Sequence, residues 1–441
     1  LFPLDVPKAI SMILRSIRRG KITMERLDRS VGKILMAKHF SGLHNEIRLQ
    51  ERNIIKYLNS DYAKGLKLRH FENATTLLRN GNDLIPFKSL TEHTVASLSL
   101  NASSFGMGPL LEHYMSVGQY AIEQSTTKSE IDGIIEKVQL YDRVFIGLHD
   151  PSGSRRKFRV DEKYRSIISQ LSKNTEVVLV IFGSPYNAAD FADIPVLMVA
   201  YEDDPLAYKA AAEVIFGAVA ARGKLPVTAG SLGAETGIHT TGLKRLGWST
   251  PGYEGFNRSR LELIDRVVEE AIADTATPGS QVLIARNGRI IFDRAYGHFT
   301  YDSLQAVTPE TVYDIASVTK VIATLQTIMF LEERGMLDMD KKVSVYLPEL
   351  KGSNKENMIL RDILTHQAGL WPYLPFWRRT VGDQKEDYFS PLSSEVYDQQ
   401  VASGLYVRSD LKDSVWQWTI DAKIIEKESG LPYEYRYSDM G

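Results

Sequence analysis

The feature that most constrains this chain is the alternation of short apolar runs with helical stretches between residues 61 and 230. The runs, mostly apolar or β-branched, are Val95–Leu100, Val144–Leu148, Val177–Phe182 and Val196–Tyr201. Helical periodicity occurs at Ala63–Leu78, Ser129–Leu140, Asp161–Leu171 and Leu206–Val219. Strands that alternate with helices form parallel sheets, and largely apolar strands are covered on both faces. The sequence therefore predicts an α/β domain in which helices sandwich a parallel sheet.

The flanking regions have a different character. Residues 1–50 predict two short helices, which cannot bury their apolar faces against each other alone. Residues 231–257 are rich in Gly, Ser, Thr and Pro and predict an interdomain linker. A new module begins at residue 258, with a helix at Leu261–Ile272 and a hairpin around Asn287-Gly288. Because the chain begins without Met and stops abruptly, we expect a fragment of a longer protein.

Composition excludes several classes of function. With 53 Lys and Arg against 55 Asp and Glu, the formal net charge is −2, which does not favour nucleic acid as a partner. The absence of Cys excludes disulfides and thiolate zinc sites. No apolar run reaches the roughly 18 residues that a membrane-spanning helix needs. The nine His residues lack metal-ligand spacing, and no dinucleotide fingerprint is present, so we expect no metal and no cofactor.

The motif with the clearest chemistry is Ser317-Val318-Thr319-Lys320. The strand-like run Val312–Ile315 precedes it and a strongly apolar helix follows, so Ser317 is predicted at a helix N-terminus, where backbone N–H groups favour negative charge. Lys320 lies three residues on, hence on the same helix face. A desolvated Lys320 has a lowered pKa and can accept the Ser317 proton. S-x-x-K also occurs at Ser30, Ser125, Ser154 and Ser409, and only the context singles out Ser317.

Residues Val312–Leu350 and Leu360–Leu370, with Tyr437-Ser438-Asp439, resemble the serine β-lactamase-related family, which includes class C β-lactamases, DD-peptidases and esterases. The resemblance implies an incomplete α+β domain over residues 258–441. It also implies that Ser317 is the nucleophile, Lys320 the coupled base and Tyr437 the proton shuttle. The family's Lys/His-x-Gly strand is expected further downstream.

Asp439 stands where this family usually has Asn. A carboxylate only accepts hydrogen bonds, whereas an amide also donates them. We therefore expect Asp439 to pair with Lys320 and to raise the pKa of that amine, which argues against β-lactam hydrolysis. His366, in contrast, has no partner at catalytic or metal-ligand spacing and is predicted to brace a turn.

The first half resembles family 3 glycoside hydrolases. Asp5–Ile10, Gly20–Thr23 and Arg26–Val31 resemble the tail of that family's barrel, which implies that residues 1–50 end a barrel. Thr76–Asn80 and Gly223–Thr228 resemble the beginning and end of its second domain, over residues 51–230. In the β-N-acetylhexosaminidase branch, both catalytic groups lie on the barrel. Both would precede Leu1, so no glycosidase residue is assigned here.

The loop after Val144–Leu148 leaves two alternatives. His149 and Asp150 follow a strand at the sheet edge where α/β proteins bind ligands, so a functional pair is one reading. A solvated loop is the reading that we favour.

Together, the two resemblances predict a fragment of a bifunctional bacterial hydrolase, in which a β-N-acetylhexosaminidase-like glycosidase is fused to a serine acyl hydrolase. A small molecule, glycan or peptide of peptidoglycan type is the expected substrate. The alternative is a non-catalytic module that braces a family 3 barrel. The fragment alone is expected to be inactive. The resemblance suggests the periplasm or cell envelope, and the oligomeric state stays open.

Overall fold

The structure, a computed structural model, describes residues 5–45, 53–102, 104–150, 160–381, 388–426 and 431–439. The chain divides into two compact units, Leu1–Thr311 and Val312–Gly441. The first unit opens with helices α1 (Val6–Arg18) and α2 (Met24–Phe40), neither of which buries a residue. Asp5 and Thr23 cap these helices by accepting hydrogen bonds from the backbone N–H groups of Lys8 and Arg26.

A six-stranded sheet forms the centre of the first unit. Its strands are β1 (Thr76–Asn80), β2 (Val95–Leu100), β3 (Gly118–Ile122), β4 (Arg143–His149), β5 (Glu176–Phe182) and β6 (Val196–Val199). The order across the sheet is β1-β6-β5-β4-β2-β3. All neighbours are parallel except β1 and β6. The predicted parallel-sheet α/β domain is confirmed.

Helices cover both faces of this sheet, and each face has its own apolar core. After α3 (Ile54–Leu58), which buries no residue, the covering helices are α4 (Asp61–Ala74), α5 (Gly108–Leu111), α6 (Lys128–Val138), α7 (Glu162–Leu171) and α8 (Pro205–Ile215). Side chains of α4, α5 and α8 pack with Phe145 and Phe182 in one core. Side chains of α6 and α7 pack with Ile146 and Leu179 in the other. Adjacent β-residues point to opposite faces, which is why Phe145 and Ile146 belong to different cores.

Two details of this domain differ from the sequence predictions. The helix predicted over Ala63–Leu78 ends at Ala74, and the next residues form β1. The edge strand β3 was not predicted at all; most of its residues are only partly buried, so it lacks the apolar run of the central strands.

The first unit ends with a small three-stranded sheet. After β7 (Gly247–Trp248) come α9 (Arg258–Leu261), α10 (Leu263–Ala273), β8 (Gly279–Arg286) and β9 (Arg289–Gly297). Strands β8 and β9 are antiparallel and form the predicted hairpin at Asn287-Gly288. Strand β7 pairs in parallel with β9, so part of the predicted linker belongs to this sheet.

The second unit combines helices with short antiparallel strands. A π-helical turn, Lys320–Thr324, leads into α11 (Leu325–Glu333). Two 3₁₀ turns follow at Val343–Val345 and Pro348–Leu350. The remaining elements are α12 (Leu360–Leu364), α13 (Trp377–Thr380), β10 (Phe389–Ser390), β11 (Gln399–Ala402), β12 (Leu405–Val407) and α14 (Leu411–Asp421). The order β10-β12-β11 makes a small sheet, as expected for an α+β domain.

The strand predicted at Val312–Ile315 is wrong. These residues have no strand partner among the described part of the chain, and Val312 is 93% exposed. An apolar, β-branched run becomes a strand only where another strand pairs with it. The described residues also contain no helix long and apolar enough to cross a bilayer, and no metal-type cluster of His, Asp and Glu.

Candidate active site

Ser317 lies in a tight turn immediately before the π-helical segment. Ala316 has a φ of 42°, in the left-handed region that residues with a Cβ rarely adopt. Its N–H donates to Asp314 Oδ1 at 2.7 Å, which fixes the turn. The Lys320 N–H then donates to the Ser317 carbonyl at 3.0 Å. The turn therefore presents the Ser317 side chain at the start of a helix, as the sequence predicts.

Lys320 lies on the same face as Ser317, one turn further along. Its Nζ donates to Ser317 Oγ at 3.0 Å. The same Nζ donates to Asp439 Oδ1 at 3.1 Å. The ammonium therefore bridges the hydroxyl and the carboxylate, and the predicted pairing of Asp439 with Lys320 is confirmed.

Tyr437 completes the cluster from a position 120 residues along the chain. Its phenol oxygen lies 3.2 Å from Ser317 Oγ, with either group able to donate. The phenol also donates to Asp439 Oδ1 at 2.7 Å. Ser317, Lys320, Tyr437 and Asp439 thus form one connected hydrogen-bond network. We call these four side chains the serine cluster.

A second stretch of chain holds the Tyr437–Asp439 segment in place. Arg436 N–H donates to the His366 carbonyl at 2.9 Å, and Ser438 N–H approaches His366 Nδ1 at 3.3 Å. Ser438 Oγ donates to the Trp371 carbonyl at 2.6 Å, and Asp439 N–H donates to the Pro372 carbonyl at 2.9 Å. His366 therefore braces this segment, as predicted. The supporting carbonyls of Trp371 and Pro372 were missed, because a backbone acceptor leaves no signal in the sequence.

The electrostatics of the serine cluster favour a charged amine. The hydrogen bond to Asp439, and then the Tyr437 phenol, raise the pKa of Lys320 above its ordinary value. Hydrogen bonds from Tyr437 and then Lys320 lower the pKa of Asp439. The Lys320 side chain is 38% exposed, so the desolvation that would release its proton is not present.

His149, the other candidate from the sequence, is buried rather than solvated. Its Nδ1 lies 2.7 Å from Asp203 Oδ1, and its ring stacks on Phe182 with centroids 5.0 Å apart. Asp203 also accepts a hydrogen bond from Tyr208. The favoured reading of a solvated loop is therefore wrong for His149, whose partner is Asp203. Residues 151–159 of the same loop lie outside the described residues.

Comparison with known protein families addresses the second half of the chain. The family model described as Beta-lactamase matches residues 264–403. This part of the chain is a β-lactamase-family domain. Ser317 and Lys320 fall inside the matched stretch of the β-lactamase-family domain, whereas Tyr437 and Asp439 lie beyond it. The family is of hydrolase type, as the sequence analysis predicts.

Individual relatives match this domain over part of their length. An N-acetylmuramyl-L-alanine amidase of Bacillus subtilis (strain 168) is 33% identical over 128 residues, which are 26% of this chain and 29% of that protein. A β-lactamase of Providencia stuartii is 34% identical over 130 residues, covering 29% of this chain and 32% of that protein. The chain thus spans less than a third of the length of these curated relatives.

Two solved structures are similar to parts of this chain, with low TM-scores. A glycoside hydrolase family 3 β-N-acetylglucosaminidase from Paenibacillus sp. str. FPU-7 has 21% identity and a TM-score of 0.32, covering 49% of this chain and 41% of that chain. The β-glucosidase of Listeria innocua has 19% identity and a TM-score of 0.35, covering 48% and 33%. Both are glycosidases, the class that the first half of the sequence resembles. At TM-scores below 0.5 such overlaps do not decide a fold, and the glycosidase assignment stays a prediction.

Proposed function

We propose that the β-lactamase-family domain is a serine acyl hydrolase in which Ser317 is the nucleophile. The observation that carries this proposal is the position of Ser317 Oγ, 3.0 Å from Lys320 Nζ and 3.2 Å from Tyr437 OH. Both partners are within the reach that proton transfer requires. A hydroxyl becomes a good nucleophile only when a neighbouring group takes its proton, and this chain offers two such neighbours.

The reaction proceeds through an acyl-enzyme. Ser317 Oγ bonds to the substrate carbonyl carbon while its proton passes to Lys320, directly or through Tyr437. The Ser317 N–H, at the helix start, is one donor for the oxyanion. Collapse of the intermediate breaks the carbonyl bond to the leaving nitrogen or oxygen, which receives the proton back. Water then hydrolyses the ester on Ser317 by the reverse proton path.

The proposed substrate is an amide or ester of peptidoglycan type. The names of two relatives, an N-acetylmuramyl-L-alanine amidase and a β-lactamase, support this class. The finer proposal is that the α/β domain accompanies a family 3 barrel of β-N-acetylhexosaminidase type, so that one protein cuts sugar linkages and acyl linkages. No residue of this chain is assigned to the sugar chemistry.

A second function, a binding module without catalysis, is favoured by one observation. Asp439 pairs with Lys320 and raises the pKa of the amine, which keeps Lys320 protonated at neutral pH. A protonated amine donates hydrogen bonds but cannot accept the Ser317 proton. Such a cluster could hold a ligand carboxylate or carbonyl without cleaving it.

Turnover of a p-nitrophenyl ester and of a chromogenic β-lactam by the full-length protein distinguishes the two functions. The acyl-hydrolase proposal predicts that Ser317→Ala lowers turnover by about 100-fold or more. Ser409→Ala is the matched control, since Ser409 also begins an S-x-x-K sequence but hydrogen-bonds Asp398 at 2.6 Å. Equal turnover by the wild type and Ser317→Ala refutes the proposal.

A further inference from the structure

Five charged side chains form a mostly buried cluster in the first unit, far along the chain from the serine cluster. They are Arg69 and Glu72 on α4, Glu213 on α8, Glu254 after β7, and Arg289 on β9. The side chains of Glu72 and Glu213 are 3% and 1% exposed. Burying charges costs several kcal/mol per ion unless each is paired and hydrogen-bonded. We call these five residues the charge network.

Arg289 is the centre of the charge network. Its Nη1 donates to Glu72 Oε1 at 2.8 Å and to Glu213 Oε2 at 3.1 Å. Its Nη2 donates to Glu72 Oε2 at 3.0 Å, which makes the Arg289–Glu72 pair bidentate. Bidentate pairs combine strong hydrogen bonds with a fixed orientation. One side chain of the β8–β9 hairpin therefore reaches both α4 and α8 of the α/β domain.

The residues around Arg289 leave space for its guanidinium group and hold its carboxylate partners in place. A Cβ on Gly247 would lie 2.8 Å from Arg289 Nη1, so a side chain at this position of β7 would push the guanidinium group aside. Trp248 N–H donates to Glu213 Oε1 at 2.7 Å. At the hairpin turn, Asn287 Nδ2 donates to Glu254 Oε2 at 3.1 Å, and Arg69 bonds the other oxygen of Glu254 at 2.9 Å. The hairpin is thus attached at its turn and at the strand that follows.

Within the five residues of the charge network, carboxyl groups outnumber guanidinium groups. Three glutamates face two arginines, and Glu72 and Glu213 both hydrogen-bond the same nitrogen of Arg289. Burial, and then the neighbouring Glu72, raise the pKa of Glu213 to about 8. Glu254 keeps its charge, because hydrogen bonds from Asn287 and Arg69 outweigh the effect of burial and lower its pKa.

Other groups also face Glu213. Lys209 lies one turn earlier on α8, with Nζ 4.5 Å from the centroid of the Trp248 ring, and burial lowers the pKa of its amine. Tyr114 contributes its phenol, and burial followed by the charge of Glu213 raises the pKa of that phenol. Burial disfavours the charged form of Lys209, and a proton on Glu213 offsets the remaining excess of carboxyl charge.

We propose that this face of the α/β domain is the docking surface for the β8–β9 hairpin, and that Glu213 carries a proton in the docked state. The hairpin is the first sheet element in the stretch that the Beta-lactamase model matches. The α/β domain is accordingly a folding partner of that hairpin rather than a tethered neighbour. The proposal rests on contacts of the first unit alone and does not depend on the activity of Ser317.

The proton on Glu213 sets the direction in which hairpin docking depends on pH. Glu213 binds its proton more tightly when the hairpin is docked, because its pKa is raised in the folded protein. Docking is therefore fully stabilised below the ordinary pKa of a glutamate and is weakened as pH rises through about 8. Glu213→Gln carries a permanently neutral amide and should remove this dependence.

Hydrogen–deuterium exchange of the whole chain, expressed as protection factors, tests the proposal. In the wild type, protection of residues 279–297 should fall by up to about a hundredfold between pH 6 and pH 9, while β4 and β5 stay protected. In Glu213→Gln, the protection of the hairpin should be the same at both pH values. Arg289→Met should expose the hairpin at both pH values.

The matched control is Arg294→Met. Arg294 lies on the same strand but bonds Asp265 of α10, so its loss should leave hairpin protection pH-dependent as in the wild type. If Arg289→Met does not fold, the comparison of wild type with Glu213→Gln decides alone. The proposal is overturned if hairpin protection in the wild type does not change with pH. It is also overturned if the hairpin is as protected in Arg289→Met as in the wild type.

Discussion

At the scale of single residues, Asp439 decides how the serine cluster works. It accepts hydrogen bonds from both Lys320 and Tyr437, so one carboxylate oxygen binds both candidate proton carriers. Its charge raises the pKa of Lys320, and a base with a raised pKa is in its neutral, accepting form only at higher pH. We therefore expect acyl hydrolysis to increase as the pH becomes alkaline.

Asp439→Asn tests this role. Removing the carboxylate charge should lower the pKa of Lys320, raise turnover at neutral pH by up to about fivefold, and move the acidic limb of the rate profile to lower pH. Rates measured from pH 5 to pH 10 with one ester give both quantities. Loss of activity in Asp439→Asn would contradict the assignment of Lys320 as the base. It would indicate that the Ser317 proton passes through Tyr437 to Asp439.

The residues of the serine cluster differ in how far sequence reasoning could reach them. The Ser317–Lys320 contact follows from helix geometry, because side chains three residues apart share a face. Tyr437 is 120 residues away, and only the resemblance to a family motif connected it with Ser317. The Lys320–Asp439 pair was predictable from charge. The exposure of Lys320 was not, since burial depends on residues from many parts of the chain.

At the scale of secondary-structure elements, the central strands were predictable and the peripheral ones were not. β4 and β5 are buried on both faces, and such strands show a continuous apolar run. β3 is a partly buried edge strand without such a run. β1 was taken as the end of a helix, because Leu77 and Leu78 continue the helical spacing of α4; its antiparallel pairing with β6 is a tertiary interaction.

Phe145→Ala tests the packing of the central strands. Phe145 is fully buried on β4, with its ring centroid 5.9 Å from that of Phe87 and 6.2 Å from that of Phe216. Truncation should lower the free energy of unfolding by about 3–5 kcal/mol, measured by urea titration with circular dichroism. Leu140→Ala, at a side chain that is 83% exposed, should change it by less than about 0.5 kcal/mol. Equal effects of the two substitutions would contradict the described core.

At the scale of the whole molecule, the chain has two units with separate cores. The first contains the two cores of the α/β domain, and the second has a small cluster formed by Val343, Leu350 and Ile420. Fully buried apolar side chains supply most of the free energy of folding. The second unit should therefore unfold at the lower temperature.

Tryptophan fluorescence can follow this difference, because four of the five Trp residues lie in the second unit and only Trp248 lies in the first. On heating, fluorescence should change before the far-ultraviolet circular dichroism of the α/β domain. Coincident transitions by both probes would show that the two units unfold together.

Covalent labelling tests whether Ser317 is an activated nucleophile. After incubation with an alkyl fluorophosphonate, whose phosphorus bonds to an activated serine oxygen with loss of fluoride, intact-mass spectrometry should show one adduct per chain. Peptide mapping should place the adduct on Ser317, and both Ser317→Ala and Lys320→Ala should abolish it while Ser409→Ala retains it. An unlabelled full-length wild-type protein, or an adduct that persists in Ser317→Ala, would contradict the assignment of Ser317 as the nucleophile.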